Sequence, residues 1–205
     1  MRYATILLCL LTWGCGTGEM SNGDYVFAIA AYDFKVGEKA GFGNDLFPGV
    51  VLGPPSSEGE ESGSTDVLSL GVGGQLTLQF VGPVYDGEGV DFIVYENPFR
   101  YGDRVFSEPA QIAVSSNGTD WIEFPCAPEN PAPNGCAGYE PVLQCAGETD
   151  QSLSARAECG GDQFDLDTIG VEHFEFVRIT DRSLSAPSGN TGGFDLDAVA
   201  GVYFE

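Results

Sequence analysis

Gln75-Leu76-Thr77-Leu78-Gln79-Phe80 alternates strictly, with Leu76, Leu78 and Phe80 on one side and Gln75, Thr77 and Gln79 on the other. A period of two is the signature of a half-buried β-strand, because successive side chains of a strand point to opposite faces. Working outward, Asp66–Leu70 (DVLSL), Asp91–Tyr95 (DFIVY), Ala110–Ser115 (AQIAVS), Trp121–Phe124 (WIEF), Phe174–Thr180 (FEFVRIT) and Asp195–Phe204 have strand composition, and Tyr25–Ala31 (YVFAIAA) is a continuous apolar run suited to a buried strand. Pro98 lacks an N–H for a ladder and predicts the end of the Asp91 strand. Asn117-Gly118 between two runs predicts a hairpin, since both residues tolerate positive φ. No stretch beyond about ten residues has a helical period. Many short strands with frequent turns predict an all-β antiparallel sandwich or jelly roll.

The composition agrees. The chain has 205 residues, 29 of them Gly and 12 Pro, with 42% hydrophobic residues. That fits one turn-rich domain with a sizeable core rather than a disordered chain. It carries 31 acidic against 8 basic residues, a formal net charge of −23. A phosphate backbone would be repelled, so nucleic acid is excluded as a partner, and an anionic membrane surface requires a lipid anchor. The acids either solvate an exported surface or, in part, hold divalent cations, with calcium favoured by oxygen ligands.

Residues 1–14, MRYATILLCLLTWG, have a positive Arg2 and an apolar run from Ala4 to Trp13. The run is too short to span a bilayer and suits a signal peptide. Gly14 precedes Cys15 as in a bacterial lipobox, with Thr12 where Leu is usual. Cys15 is the candidate lipidation site and first mature residue, the alternative being cleavage and release. Residues 15–24 then form a tether and 25–205 the domain. Cys126, Cys136, Cys145 and Cys159 lie in a long irregular segment, about 125–162. In an exported protein they read as two disulfides. Three connectivities are open, sequential pairing among them, and a zinc site lacks C-x-x-C spacing.

Val114-Ser115-Ser116-Asn117-Gly118-Thr119-Asp120-Trp121 resembles the V-S-x-D-G-x-x-W hairpin of galactose-binding-like, discoidin-type jelly rolls, and Phe176-Val177-Arg178-Ile179 resembles their Y-V-R-I strand. Asn117 stands where Asp is usual, which a turn tolerates. GSTDVLSLGVGG (63–74), DFIVYENPF (91–99), FSEPAQIAVS (106–115), FPC with GCAG (124–138) and GGFDLDAVAGV (192–202) are similar to segments of a group of bacterial cell-surface proteins and lipoproteins. The resemblance covers about residues 25–204 and implies a jelly roll at the cell surface, without a reaction. It places Trp121 in the core. It also implies ligand contacts from aromatic and Arg side chains in end loops, for which Phe99, Arg100, Tyr101 and Arg104 are the candidates, the alternative being local packing and ion pairs.

Asp91, Glu96, Asn97, Glu108, Asp195 and Asp197 lie in or beside strand-like segments, and too few basic residues exist to pair with such carboxylates. Asp195 and Asp197, two apart, share a strand face. These six are the candidate ligands of one or two structural calcium ions, the alternative being turn caps and bonds to backbone amides. Asp162, Asp165 and Asp167 lack EF-hand spacing and read as turn chemistry. Catalytic motifs are scarce: His173 is the sole His, on a strand face, and there is no G-x-S-x-G, H-E-x-x-H or Walker loop. The leading expectation is a non-catalytic, surface-exposed lipoprotein for adhesion or recognition of an extracellular glycan or protein. A structural envelope component without a soluble ligand and a carboxylate-based carbohydrate hydrolase are the alternatives.

Overall fold

The computed structural model describes residues 25–55, 65–97, 99–101, 104–130, 135–140, 160–183 and 192–204. The leader with Cys15, the tether, Pro98, Cys145 and Cys159 lie outside them. Among the described residues twelve strands occur in order: β1 (Val26–Phe27), β2 (Ala30–Lys35), β3 (Leu68–Ser69), β4 (Gln75–Tyr85), β5 (Phe92–Glu96), β6 (Phe99–Tyr101), β7 (Arg104–Phe106), β8 (Ala110–Ser115), β9 (Ile122–Glu123), β10 (Asp162–Phe164), β11 (His173–Asp181) and β12 (Asp195–Gly201). Two 3-10 turns, η1 (Gly49–Val51) and η2 (Leu166–Ile169), complete the set, and there is no α-helix among the described residues.

The strands form an antiparallel sandwich. One sheet runs β1-β12-β5-β10, with β3 also on β12; the other runs β2-β4-β11-β8-β9; β6 and β7 form a separate two-stranded hairpin. In chain order the strands of the two sheets alternate at every step except β8 to β9, with the β6–β7 hairpin lying between β5 and β8. Leu76, Leu78 and Phe80 are buried between the sheets as their alternation predicts. Phe92 centres the core, with ring centroids 5.6, 5.0 and 5.0 Å from Phe124, Phe164 and Phe174. β5 is buried on both faces: Phe92 and Val94 join the inter-sheet core, while Ile93 and Tyr95 pack with Tyr25, Ala198 and Ala200 on the outer side. This explains why its sequence is continuously apolar.

Four local expectations change. The Tyr25–Ala31 run is not one strand; it divides into β1 and β2, which belong to different sheets. The segment around Arg100 is a hairpin rather than a loop. The 115–120 turn is held by side chains: Asn117 Oδ1 accepts the Thr119 and Asp120 N–H groups at 2.9 Å, and Ser115 Oγ accepts the Gly118 N–H at 2.9 Å. Only Gly118 of the Asn-Gly pair has positive φ. Trp121 is half-buried, not in the core, and carries the Arg178 guanidinium 4.3 Å from its ring centroid. Cys126 and Cys136 form a disulfide. The Ala110–Ala137 backbone bonds, 3.0 Å in both directions, fasten that loop to β8.

Candidate cation sites at the two ends of strand β5

β5 enters through Asp91 and leaves through Glu96 and Asn97, so the six predicted ligands are divided between its ends. At about 3.3 Å per residue the ends stand roughly 16 Å apart. Asp91 is therefore not part of one site with the other five.

At the entry, Asp91 is buried and both oxygens are engaged. The Gly87 N–H donates to Oδ1 at 2.8 Å and the Leu166 N–H to Oδ2 at 2.7 Å. One carboxylate thus links the turn after β4 to the start of η2. Asp165 caps η2 by accepting the Asp167 N–H at 2.9 Å. Carboxylate oxygens of Asp86, Asp91 and Asp165 lie within 4.8 Å of one another, and this trio could hold a metal ion. Burial raises the Asp91 pKa, and the negative fields of Asp86 and Asp165 add to the rise, against the two backbone bonds.

At the exit, acids from both sheets meet. Glu96, Glu108, Asp162 and Asp181 are all less than 9% exposed. Asp181, at the end of β11, accepts four donors: the Gly73 N–H (2.9 Å) and Ser183 N–H (3.1 Å) on Oδ1, and the Ser183 hydroxyl (2.8 Å) and Phe194 N–H (2.7 Å) on Oδ2. Asp162 accepts the successive N–H groups of Gly138, Tyr139 and Glu140 at 2.7–3.3 Å. Glu108 accepts the Gly193 N–H at 2.7 Å. Gly193 must be glycine, since its φ is +85° and a Cβ would lie 2.4 Å from the Gly71 backbone.

Glu96 and Asp195 are served less well. Among the described residues, Glu96 Oε2 and Asp195 Oδ1 are buried and have no hydrogen-bond partner. Burial pushes the Glu96 pKa well up, reinforced by Asp195, Glu108 and Asp162. Burial likewise raises Glu108 to about 8, with Asp195 adding to it. Asp195 is pushed to about 6 by burial, against a hydrogen bond from Ser69.

Asn97 and Asp197 are buried nearby. Leu196 pairs with Glu96 but Ala198 pairs with Tyr95, so Asp197 is an extra residue in a β-bulge. Alternation is broken there: Leu196 and Val199 both reach the inter-sheet core. The simple two-apart argument for Asp195 and Asp197 thus fails across the bulge. Phe99, Arg100, Tyr101 and Arg104 lie on the β6–β7 hairpin, whose backbone register places Tyr101 opposite Arg104. His173 opens β11, exposed, with its ring 5.9 Å from that of Tyr85.

Sequence reading missed Asp86 and Asp181 and placed Asp162 and Asp165 in turns only. Asp86 and Asp165 meet Asp91 through tertiary folding, which no local spacing signals. No family model matches the chain, and no curated protein is significantly similar to it.

Proposed function

We propose that the protein is an exported, surface-exposed lipoprotein whose non-catalytic β-sandwich serves adhesion or recognition of an extracellular glycan or protein, with calcium in the Asp86–Asp91–Asp165 trio as a structural brace. The observation that carries the binding role is the β6–β7 hairpin. It stands outside both sheets, between β5 and β8, and bears Phe99, Arg100, Tyr101 and Arg104. Two arginines beside two aromatics suit stacking and hydrogen bonding to a polar ligand. The Cys126–Cys136 disulfide supports an oxidising compartment, and the Gly14-Cys15 leader supports anchoring there. Among the described residues no helix is long and apolar enough to cross a membrane.

The hydrolase alternative gains one observation, since buried carboxyls with raised pKa are what a general acid requires. Against it, Glu96 is 2% exposed, which leaves no access for a sugar. The test is binding of the full chain to glycan and surface-protein arrays, beside Arg100→Ala/Arg104→Ala. A ligand lost by at least about tenfold in the double variant, roughly 1.4 kcal/mol, supports recognition through the hairpin. Equal binding by both proteins refutes that assignment, and binding to nothing favours an envelope component.

A further inference from the structure

We propose that the outer face of the β2-β4-β11-β8-β9 sheet is a ligand surface in its own right, which takes a neutral polysaccharide chain laid across the strands. The face is separate from the β6–β7 hairpin and binds whether or not that hairpin does.

The strand register carries it. Leu76 and Leu78 of β4, Val177 and Ile179 of β11, and Ile112 and Val114 of β8 lie in the inter-sheet core. The residues that alternate with them therefore face outward, and they align in rows. The central row is Thr77–Arg178–Ala113, prolonged by Tyr32 on β2 and Glu123 on β9. Gln79–Phe176–Ser115 flanks it on one side and Gln75–Thr180–Gln111 on the other. No carboxylate stands in these three rows on β4, β11 and β8, in a chain with 31 acidic residues. Glu175 falls in the irregularity before Phe176, and Asp33 and Glu123 belong to the two outermost strands. A patch spared the acids that cover the rest of the chain, and given aromatic and Arg side chains, has the composition of a binding surface.

The groups on it are held in place. Tyr32 and Phe176 are half-buried, with ring centroids 6.5 Å apart and edge to face. The Arg178 guanidinium lies 4.3 Å from the Trp121 ring centroid and 4.0 Å from the Glu123 carboxylate. Gln75 accepts from Lys35 Nζ at 3.0 Å and donates to Thr180 Oγ1 at 3.0 Å. Such preorganisation lowers the entropy lost on binding.

The chemistry of the face selects its occupant. A sugar ring offers an apolar C–H side that packs on aromatic rings, and hydroxyls that exchange hydrogen bonds with amide, hydroxyl and guanidinium groups. A protein partner fits less well, since a protein interface has an apolar centre. The centre here is Thr77, Arg178 and Ala113, and the exposed Val81 and Ile122 lie outside the three rows. A polyanionic glycan would be repelled by the net charge of −23. Five strands spaced about 4.8 Å apart make a row of roughly 19 Å, room for several sugar rings.

The test is calorimetric titration of the full chain with a soluble β-glucan, a mannan, a galactan and, as polyanion, alginate, with tryptophan fluorescence recorded alongside. The expected result is binding of a neutral probe but not of alginate, with a change in emission that Trp121→Phe abolishes. Tyr32→Ala/Phe176→Ala weakens binding by at least about tenfold, and Gln79→Glu, which places a charge on the face and leaves the core alone, also weakens it. Arg100→Ala/Arg104→Ala binds as the native chain does. Where the double face variant does not fold, Gln79→Glu decides. Binding of no neutral probe, or equal binding by the face variants and the native chain, overturns the proposal. Binding lost in the hairpin variant and kept in the face variants assigns the glycan to the hairpin instead. Self-association of the chain that the face variants abolish makes the face a contact between copies and likewise overturns it.

Discussion

Asp91→Asn separates a clamp from a ligand. In the native protein both Asp91 oxygens accept backbone N–H groups, from Gly87 at 2.8 Å and Leu166 at 2.7 Å. Asparagine retains one acceptor and turns an NH2 group toward the other amide, donor against donor. The loss is one charge-assisted hydrogen bond, about 1.5–3 kcal/mol, and one buried amide left unpaired, about 1–3 kcal/mol. Part is returned, because burial already holds the Asp91 pKa up and the variant carries no charge to desolvate. The net cost is roughly 2–4 kcal/mol, a fall in Tm of roughly 5–10 °C for a domain of this size. Urea unfolding followed by tryptophan fluorescence, in EDTA and again in calcium, measures it. The deficit should already be present in EDTA. A variant within about 0.5 kcal/mol of the native protein in EDTA, destabilised only in calcium, would refute the clamp and make Asp91 a ligand first.

The core and the other clamps give further outcomes. Phe92→Ala empties the position where three rings meet and should cost about 3–5 kcal/mol; a urea midpoint implying less than about 1.5 kcal/mol would mean the site collapses. Asp181→Ala strands the buried Phe194 amide and frees the exposed Gly73 amide to water, and should cost on the order of 2–4 kcal/mol; preserved stability would show that those segments hold without it. Burial raises Asp162 to about 7 from 3.8, against three backbone bonds. A carboxyl that binds its proton more tightly when folded stabilises the fold fully below about pH 4 and loses that contribution as pH rises through about 7. At about 1.4 kcal/mol per pH unit, the upper limit is roughly 4 kcal/mol. In EDTA the urea midpoint should therefore fall between pH 5 and 8, and Asp162→Asn should flatten that slope; an unchanged slope would count against it. Replacing Cys126 and Cys136 together by Ser should cost about 2–3 kcal/mol, and an equal melting temperature would show that the Ala110–Ala137 pairing holds the loop alone.

Much of the sandwich was legible because local pattern and burial coincide. β4 alternates where one face meets the core, β8 spans the predicted Ala110–Ser115, and β11 exceeds the predicted Phe174–Thr180 by one residue at each end. Legibility failed where the chain changes partners. The Tyr25–Ala31 run is apolar throughout because Val26 and Ala28 serve the inter-sheet core while Tyr25 serves the outer cluster, and composition does not record the crossing. The Asp197 bulge left no mark either, since Leu-Asp-Ala-Val reads equally well with or without an extra residue. Of the six predicted ligands, Glu96, Asn97, Glu108, Asp195 and Asp197 fall toward the exit of β5, and Asp91 was carried to the opposite end, where it meets Asp86 and Asp165. Its bond to Leu166 spans 75 residues of sequence, a distance over which spacing carries no information.

Two oddities of composition, 29 glycines and 31 acids against 8 bases, have one physical connection. A chain so poor in cations cannot bury carboxylates by ion pairing, so it must supply them with N–H groups. The donors are recurrently glycines: Gly73 to Asp181, Gly87 to Asp91, Gly138 to Asp162 and Gly193 to Glu108. At Gly138 the reason is steric, as φ is +97° and a Cβ would lie 2.3 Å from the Glu108 carbonyl oxygen. Glycine lets the backbone approach and turn its amide inward where a side chain would hold the strands apart. Neutral amides can do this for one carboxylate at a time, because each brings only a partial charge. Burial and the like charges of other acids raise the pKa of Glu96 and Glu108, and amides relieve desolvation but not mutual repulsion. Among the described residues Glu96 Oε2 and Asp195 Oδ1 are left without a donor, and a proton, which the raised pKa of Glu96 favours, removes the charge where no amide reaches.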